Sequence, residues 1–212
     1  TAAGQSTILN RSGALLESTG ASHGALELGA GNDTVINEGT IRGTTSMYLG
    51  AGDDTLVLRG GSTLQGTAQA DAGNDTLKFE GDGTLPLGYF VNFENIVLAA
   101  DAAWTVSGQI ESGASPLAVD IAERAQLNYS GRLTGAGLNK LGAGVLNLDG
   151  DNTGFVGNTT VSAGVLRVDG ILGGPVAVAA GARLQGIGRV GSLDNAGMLA
   201  PGNSIGTFSV AG

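Results

Sequence analysis

The sequence predicts an all-β protein, a right-handed parallel β-helix (a solenoid) with about 20–21 residues per coil. The first observation is a turn sequence that recurs at a constant interval, at 28–35, 49–56 and 70–77. A constant period of this size is typical of one structural unit stacked on itself. The second is that the runs between the turns are short and rich in Val, Ile, Leu and Thr, as in strands. The third is that apolar residues do not recur at helical spacing over two or more turns.

Each repeat is predicted to form about three short strands separated by tight turns, as in 34–37, 40–43 and 46–49. Such a unit cannot bury its apolar face alone, but stacked units share one continuous core. Each strand then pairs with its equivalent one coil on, at a rise of about 4.8 Å, so the chain makes about ten coils in a rod about 50 Å long. A right-handed winding is expected because parallel crossover connections are overwhelmingly right-handed.

The turn chemistry changes along the chain. Gly-Asn-Asp turns mark an acidic region of coils, 1–100, whereas the C-terminal coils, 101–212, carry Ala-Gly turns and a second repeat that matches 144–150 to 164–170. The less regular stretch 83–103 and Trp104 just after it hold four of the nine aromatic residues. That density predicts a thicker patch of core or a bend.

Composition narrows the classes of function. Glycine accounts for 39 of the 212 residues without a collagen triplet, which indicates turns. The formal net charge of −9 makes nucleic acid and anionic membranes poor partners. The absence of cysteine suits a bacterial secreted chain. The sequence contains no run of 18 apolar residues, so no membrane-spanning helix is predicted.

The strongest candidate for chemistry is the column of Asp33, Asp54 and Asp75, one from each turn. Carboxylates about 4.8 Å apart repel by roughly 1 kcal/mol in water. The default interpretation is a solvent-facing structural corner in which water and turn N–H groups offset this repulsion. The alternative is calcium held by these three residues, because 28–35 resembles the Gly-Gly-x-Gly-x-Asp repeat of calcium-binding β-rolls. The repeat departs from that pattern at its first glycine and, in the third copy, at Asp71.

No catalytic residue is predicted, so the chain is interpreted as not being an enzyme. The only histidine, His23, adjoins Ser22 in a turn-like context, and Ser204 is best interpreted as a turn residue. A carbohydrate-active β-helix is a further alternative, for which Trp104 is the one tryptophan that could stack on a sugar ring. Adjacent carboxylates such as Asp53 and Asp54 alternate faces in a strand and make a poor acid–base pair.

Three stretches together resemble one family, the autotransporters, which are type V secreted proteins of Gram-negative bacteria. The segment 138–168 resembles their passenger-associated transport repeat. The segment 176–208, with Pro-Gly-Asn-Ser-Ile-Gly at 201–206, is similar to the end of their passenger domains. The pieces 93–96 and 104–108 are similar to the region that often precedes the repeat.

This resemblance implies a right-handed β-helical passenger that crosses the outer membrane through its own C-terminal β-barrel translocator. Residues 101–212 would then act as an autochaperone-like segment that folds first outside the cell and templates the rest. The expected location is extracellular or on the cell surface. The expected partners are the translocator, upstream passenger coils and a host-surface ligand, with no nucleic acid.

The chain is expected to be a non-catalytic C-terminal stalk and a piece of a longer protein. On this expectation the translocator barrel would lie beyond Gly212, and any enzyme or adhesin domain would lie upstream of Thr1. Templated folding has a physical basis, because coils that contact only their neighbours can nucleate at one end and propagate.

Overall fold

A computed structural model describes residues 4–20, 23–86, 88–202 and 206–211. These residues form strands joined by turns. They include no helix, and hence none long and apolar enough to cross a membrane.

The described residues contain 26 short strands. The first thirteen are β1 Thr7–Asn10, β2 Leu15–Glu17, β3 Leu26–Glu27, β4 Thr34–Asn37, β5 Thr40–Ala51, β6 Thr55–Arg59, β7 Thr63–Ala72, β8 Thr76–Glu80, β9 Gly83–Leu85, β10 Tyr89–Val91, β11 Asn95–Leu98, β12 Ala103–Val106 and β13 Gln109–Glu111. The second thirteen are β14 Leu117–Ile121, β15 Gln126–Tyr129, β16 Leu133–Thr134, β17 Gly137–Leu141, β18 Val145–Leu148, β19 Asp151–Asn152, β20 Asn158–Val161, β21 Val165–Val168, β22 Ile171–Val178, β23 Arg183–Gly186, β24 Arg189–Asn195, β25 Met198–Pro201 and β26 Ser209–Val210.

The strands form three parallel sheets that run along the length of the molecule. The longest, called the spine here, follows the order β1-β4-β6-β8-β11-β14-β17-β20-β22-β24-β26. The second follows β16-β13-β10-β7-β5-β2, with β3 also on β5, and the third follows β25-β23-β21-β18-β15-β12-β9. Successive coils add one strand at a time to the spine, whereas the second sheet extends only over 15–134 and the third only over 83–201. The predicted parallel β-solenoid with about three strands per coil is confirmed.

The length of the coils varies along the spine, although its strands pair in register except for one shift between β22 and β24. Thr34 pairs with Thr55, at the period of the sequence repeat. The preceding coil is longer, since Thr7 pairs with Thr34. A coil near the C-terminus is shorter, since Thr160 pairs with Ala177. The period of the sequence repeat therefore applies to only part of the chain. Elsewhere the segments between the paired strands are longer or shorter.

The interior is a stack of aliphatic columns. One column of the spine contains residues paired from rung to rung, each at most 3% exposed: Val35, Leu56, Leu77, Ile96, Val119, Lys140, Val161 and Val178. Burial of such side chains stabilises a fold by about 1.5–3 kcal/mol each relative to exposure. The single charged member of this column, Lys140, is described below.

The aromatic segment lies in the core of the solenoid. Phe90, Phe93 and Trp104 are fully buried. The rings of Phe79 and Trp104 are 4.9 Å apart at a tilt of 52°, and those of Phe90 and Phe93 are 6.0 Å apart and nearly perpendicular. These separations are typical of favourable aromatic pairs.

Candidate functional site

The three Gly-Asn-Asp turns stack directly on one another, so Asp33, Asp54 and Asp75 form the predicted column. Each of them immediately precedes a strand of the spine, whose first residues pair in register. The expectation that this column faces solvent is wrong, because the three residues are only 2%, 1% and 0% exposed. The carboxylates point inward because the backbone amides of neighbouring coils are their hydrogen-bond partners.

The column is a ladder of hydrogen bonds between successive coils. The N–H of Asp33 donates to Oδ1 of Asp54 at 2.7 Å, and the N–H of Asp54 donates to Oδ1 of Asp75 at 2.7 Å. At one end the N–H of Ser6 donates to Oδ1 of Asp33 at 2.5 Å. At the other end the N–H of Asp75 donates to Oε2 of Glu94 at 2.9 Å. The partners lie in the next coil and not in the turn itself.

Sequence reasoning missed both ends of this ladder. Glu94 occupies the position of the aspartates in the next coil, because Thr76 pairs with Asn95. Glu94 follows Asp75 by 19 residues, so a search at the 21-residue period does not find it. The available signal is an acidic residue immediately before a strand, since Glu94 precedes β11 as Asp75 precedes β8.

A second ladder runs beside the first on the outer side of the turns. The N–H of Asp53 donates to Oδ1 of Asn32 at 3.0 Å, and the N–H of Asn74 donates to Oδ1 of Asp53 at 2.9 Å. These bonds point to the preceding coil, whereas those of the buried column point to the following one. Asp53 is exposed and Asp54 is buried, so the two adjacent carboxylates lie on opposite faces as predicted.

Burial dominates the electrostatics of the column. It raises the pKa of Asp75 to about 7, with the neighbouring carboxylates of Asp54 and Glu94 acting in the same direction. Burial also raises the pKa of Asp54. The backbone hydrogen bonds at Oδ1 oppose both shifts. The second oxygen, Oδ2, is buried without a hydrogen-bond partner in all three aspartates of the column.

The donor set is a poor match for calcium. Calcium takes 6–8 oxygen ligands at 2.3–2.6 Å. Each carboxylate of the column has one oxygen already engaged by an amide. Within the described ranges, no group of three or more His, Cys, Asp or Glu side chains is arranged to hold a metal ion. Calcium at Asp33, Asp54 and Asp75 stays a prediction, which the titration described below tests.

The other candidate residues do not assemble into a site. His23 is exposed, and its carbonyl oxygen accepts a hydrogen bond from Oγ of Ser18 at 2.6 Å. Ser22 and Ser204 lie outside the described residues. Trp104 is fully buried, so its ring is not available for stacking on a sugar.

The segment 138–168 contains a buried lysine that the sequence analysis did not single out. Lys140 is 0% exposed and lies in the aliphatic column between Val119 and Val161. Its Nζ donates to the carbonyl oxygens of Leu141 at 2.5 Å, Gly142 at 2.9 Å and Ala163 at 3.3 Å. Since Ala163 belongs to the next coil, this side chain joins two coils.

Burial lowers the pKa of Lys140 to about 8, and the nearby carboxylate of Asp120 opposes that shift. A signal for this residue exists in the sequence. Leu138, Asn139 and Lys140 alternate inward, outward and inward along β17, so the alternation places a lysine at an interior position. Asn152 makes a second bond between coils, accepting from the N–H of Leu133 at 2.7 Å.

Comparison with known proteins gives a match to one family model and similarity to one secreted bacterial protein. The family described as passenger-associated-transport-repeat matches residues 138–168, which include Lys140 and Asn152. The chain is also 43% identical over 86 residues to an extracellular serine protease of Serratia marcescens. That match covers 39% of this chain and 8% of the relative. No solved structure matches the chain significantly.

The parallel β-solenoid carries a match to a repeat described as associated with passenger transport. The transport repeat, together with the similarity to the extracellular Serratia protein, supports an autotransporter passenger region.

Proposed function

We propose that this chain is a non-catalytic β-helical stalk of an autotransporter passenger, which supports translocation across the outer membrane and templates passenger folding. It would be located outside the cell or at its surface, and its partners would be its own translocator and the adjoining passenger coils. The observation that carries the proposal is the position of the transport repeat, 138–168, which forms about one and a half turns of a continuous parallel solenoid, with β17 paired to β20 and β18 paired to β21.

The packing around the repeat supports a templating role. Its strands β17 and β18 pair in register with the preceding coil, and β20 and β21 pair with the following one. Each coil therefore offers the next one a complete edge of backbone donors and acceptors. Adding a rung to such an edge avoids most of the cost of nucleation. Folding that proceeds outside the membrane would bias movement of the chain outward.

Two deletions of equal length test this proposal in the full-length protein with its translocator. Removing 139–159 deletes one coil of the transport repeat and places Thr160 opposite Ala118 in the spine. Removing 34–54 deletes one coil of the acidic region and places Thr55 opposite Thr7. Both deletions keep the register of the spine, so the second is a matched control.

Surface display is measured by antibody binding to an epitope at the passenger N-terminus and by cleavage with added protease. We expect the 139–159 deletion to reduce display strongly and the 34–54 deletion to leave it close to wild type. Equal display of both variants would refute a specific role of the repeat in export. Equal loss in both would show that any missing coil impairs export, and it would refute the specific role as well.

A further inference from the structure

The column of Asp33, Asp54 and Asp75, called the acidic column here, contains buried carboxylate oxygens whose hydrogen-bonding capacity is not satisfied. The proposed function does not explain this feature. The Oδ2 atoms of Asp33, Asp54 and Asp75 are buried and have no hydrogen-bond partner among the residues that the structure describes. Their Oδ1 atoms are satisfied by amides of the preceding coil. A buried carboxylate with one free oxygen carries a large desolvation cost as an anion.

In the part of the chain that the structure describes, only acidic groups act on Asp54 and Asp75, so no positive charge offsets that cost. The charged groups that face Asp54 are Asp33, Asp53 and Asp71. Those that face Asp75 are Asp54, Glu94 and Asp53. The cations on the neighbouring strands are engaged elsewhere, since Arg59 pairs with Glu38 and Glu80 and Lys78 also pairs with Glu80.

The enclosure of the Oδ2 atoms limits which ligands can bind to them. A hydrated cation needs several oxygens and open space, whereas each unpaired Oδ2 is enclosed in the protein. A proton needs one oxygen and removes the charge. We propose that Asp54 and Asp75 are proton-binding sites, and that proton uptake at their Oδ2 atoms makes the Gly-Asn-Asp coils more stable in mild acid than at neutral pH.

The sign of the pH dependence follows from the direction of the pKa shifts. The folded-state pKa of Asp75, about 7, lies above the ordinary value of 3.8 that the unfolded chain retains. The folded state therefore binds more protons between these two values. The extra stability is fully present below about pH 4 and is lost as the pH rises through about 7.

Carboxyl-carbon NMR on the intact wild-type chain measures proton binding directly. We expect one aspartate to titrate near pH 7 and a second to titrate clearly above the ordinary range. The variant D75N should remove the first transition and D54N the second. The control D53N should retain both, because Asp53 is exposed and Asn occupies its position in the neighbouring turns, as Asn32 and Asn74. Titration of every aspartate below pH 5 would overturn the proposal, whether or not the variants fold.

Thermal unfolding at pH 5 and pH 7.5 measures the consequence for stability. We expect wild type and D53N to melt roughly 5 °C or more higher at pH 5. The double variant D54N/D75N should lose most of that difference. Addition of calcium at pH 7.5 distinguishes proton binding from calcium binding. No change in melting supports the proton, whereas a calcium-dependent rise that D75N abolishes would make the column a metal site and overturn the proposal.

Discussion

The stacking of the turns can be tested by substituting Gly52. All three copies of the turn have a glycine at this position, Gly31, Gly52 and Gly73. The φ of Gly52 is +133°, and a Cβ there would lie 2.3 Å from the carbonyl oxygen of Gly31 in the preceding coil. Gly61 provides the matched control. Its φ is +82°, and a Cβ there would meet no atom within 4 Å. The variants Gly52→Ala and Gly61→Ala therefore both place a Cβ at positive φ, but only the first brings it against the backbone of the preceding coil.

The expected losses follow from these contacts. An alanine at positive φ costs about 1–2 kcal/mol, which is the whole effect expected for Gly61→Ala. In Gly52→Ala the methyl group must also move the Gly31 carbonyl away by about 1 Å to restore an ordinary van der Waals separation. That movement strains the bond from the N–H of Gly31 to the carbonyl oxygen of Ala51, now 2.8 Å. With one or two weakened backbone bonds, we expect a total of about 3–5 kcal/mol.

Urea unfolding followed by far-UV circular dichroism measures both variants under the same conditions. A clearly lower midpoint for Gly52→Ala than for Gly61→Ala supports close stacking of the turns. Equal midpoints would refute it, because the strain would then be the only cost.

Two further predictions concern the interior of the solenoid. In wild type, stability should rise with pH between about 8 and 10, because the buried amine of Lys140 has a lowered pKa and the unfolded chain then binds more protons. Lys140→Met keeps the length of the side chain and should abolish that rise in stability, measured by urea unfolding at pH 8 and pH 10. If the rise persists in this variant, another titratable group causes it. Trp104→Ala should cost about 3–5 kcal/mol by calorimetry, because the fully buried ring packs on Phe79. A cost below about 1 kcal/mol would show that the aromatic cluster rearranges to fill the space.

The fold could be predicted from the sequence because a β-solenoid repeats its local rules. The constant spacing of the turns fixes the stacking of Thr34, Thr55 and Thr76, and the structure shows that register. The regions 1–100 and 101–212 stay a prediction, because the spine runs through both without interruption.

The site was harder to predict than the fold. Sequence spacing placed Asp33, Asp54 and Asp75 in one column, but it did not show which way their side chains point. A charged residue next to a turn is usually solvated, so a solvent-facing corner was the natural expectation. The side chains point inward because they accept amides that belong to another coil. For the same reason Glu94 and Lys140 were missed, since their roles depend on partners 19 to 23 residues away.

The unequal coil lengths have a consequence for how such a chain can diversify. The long coil between Thr7 and Thr34 and the short coil between Thr160 and Ala177 are accommodated by the same spine without a shift of its rungs. Segments can therefore be gained or lost between rungs while the scaffold stays constant. An evolving passenger can acquire new surface loops at the turns, and a protein engineer can insert a foreign peptide there, with little change to the core.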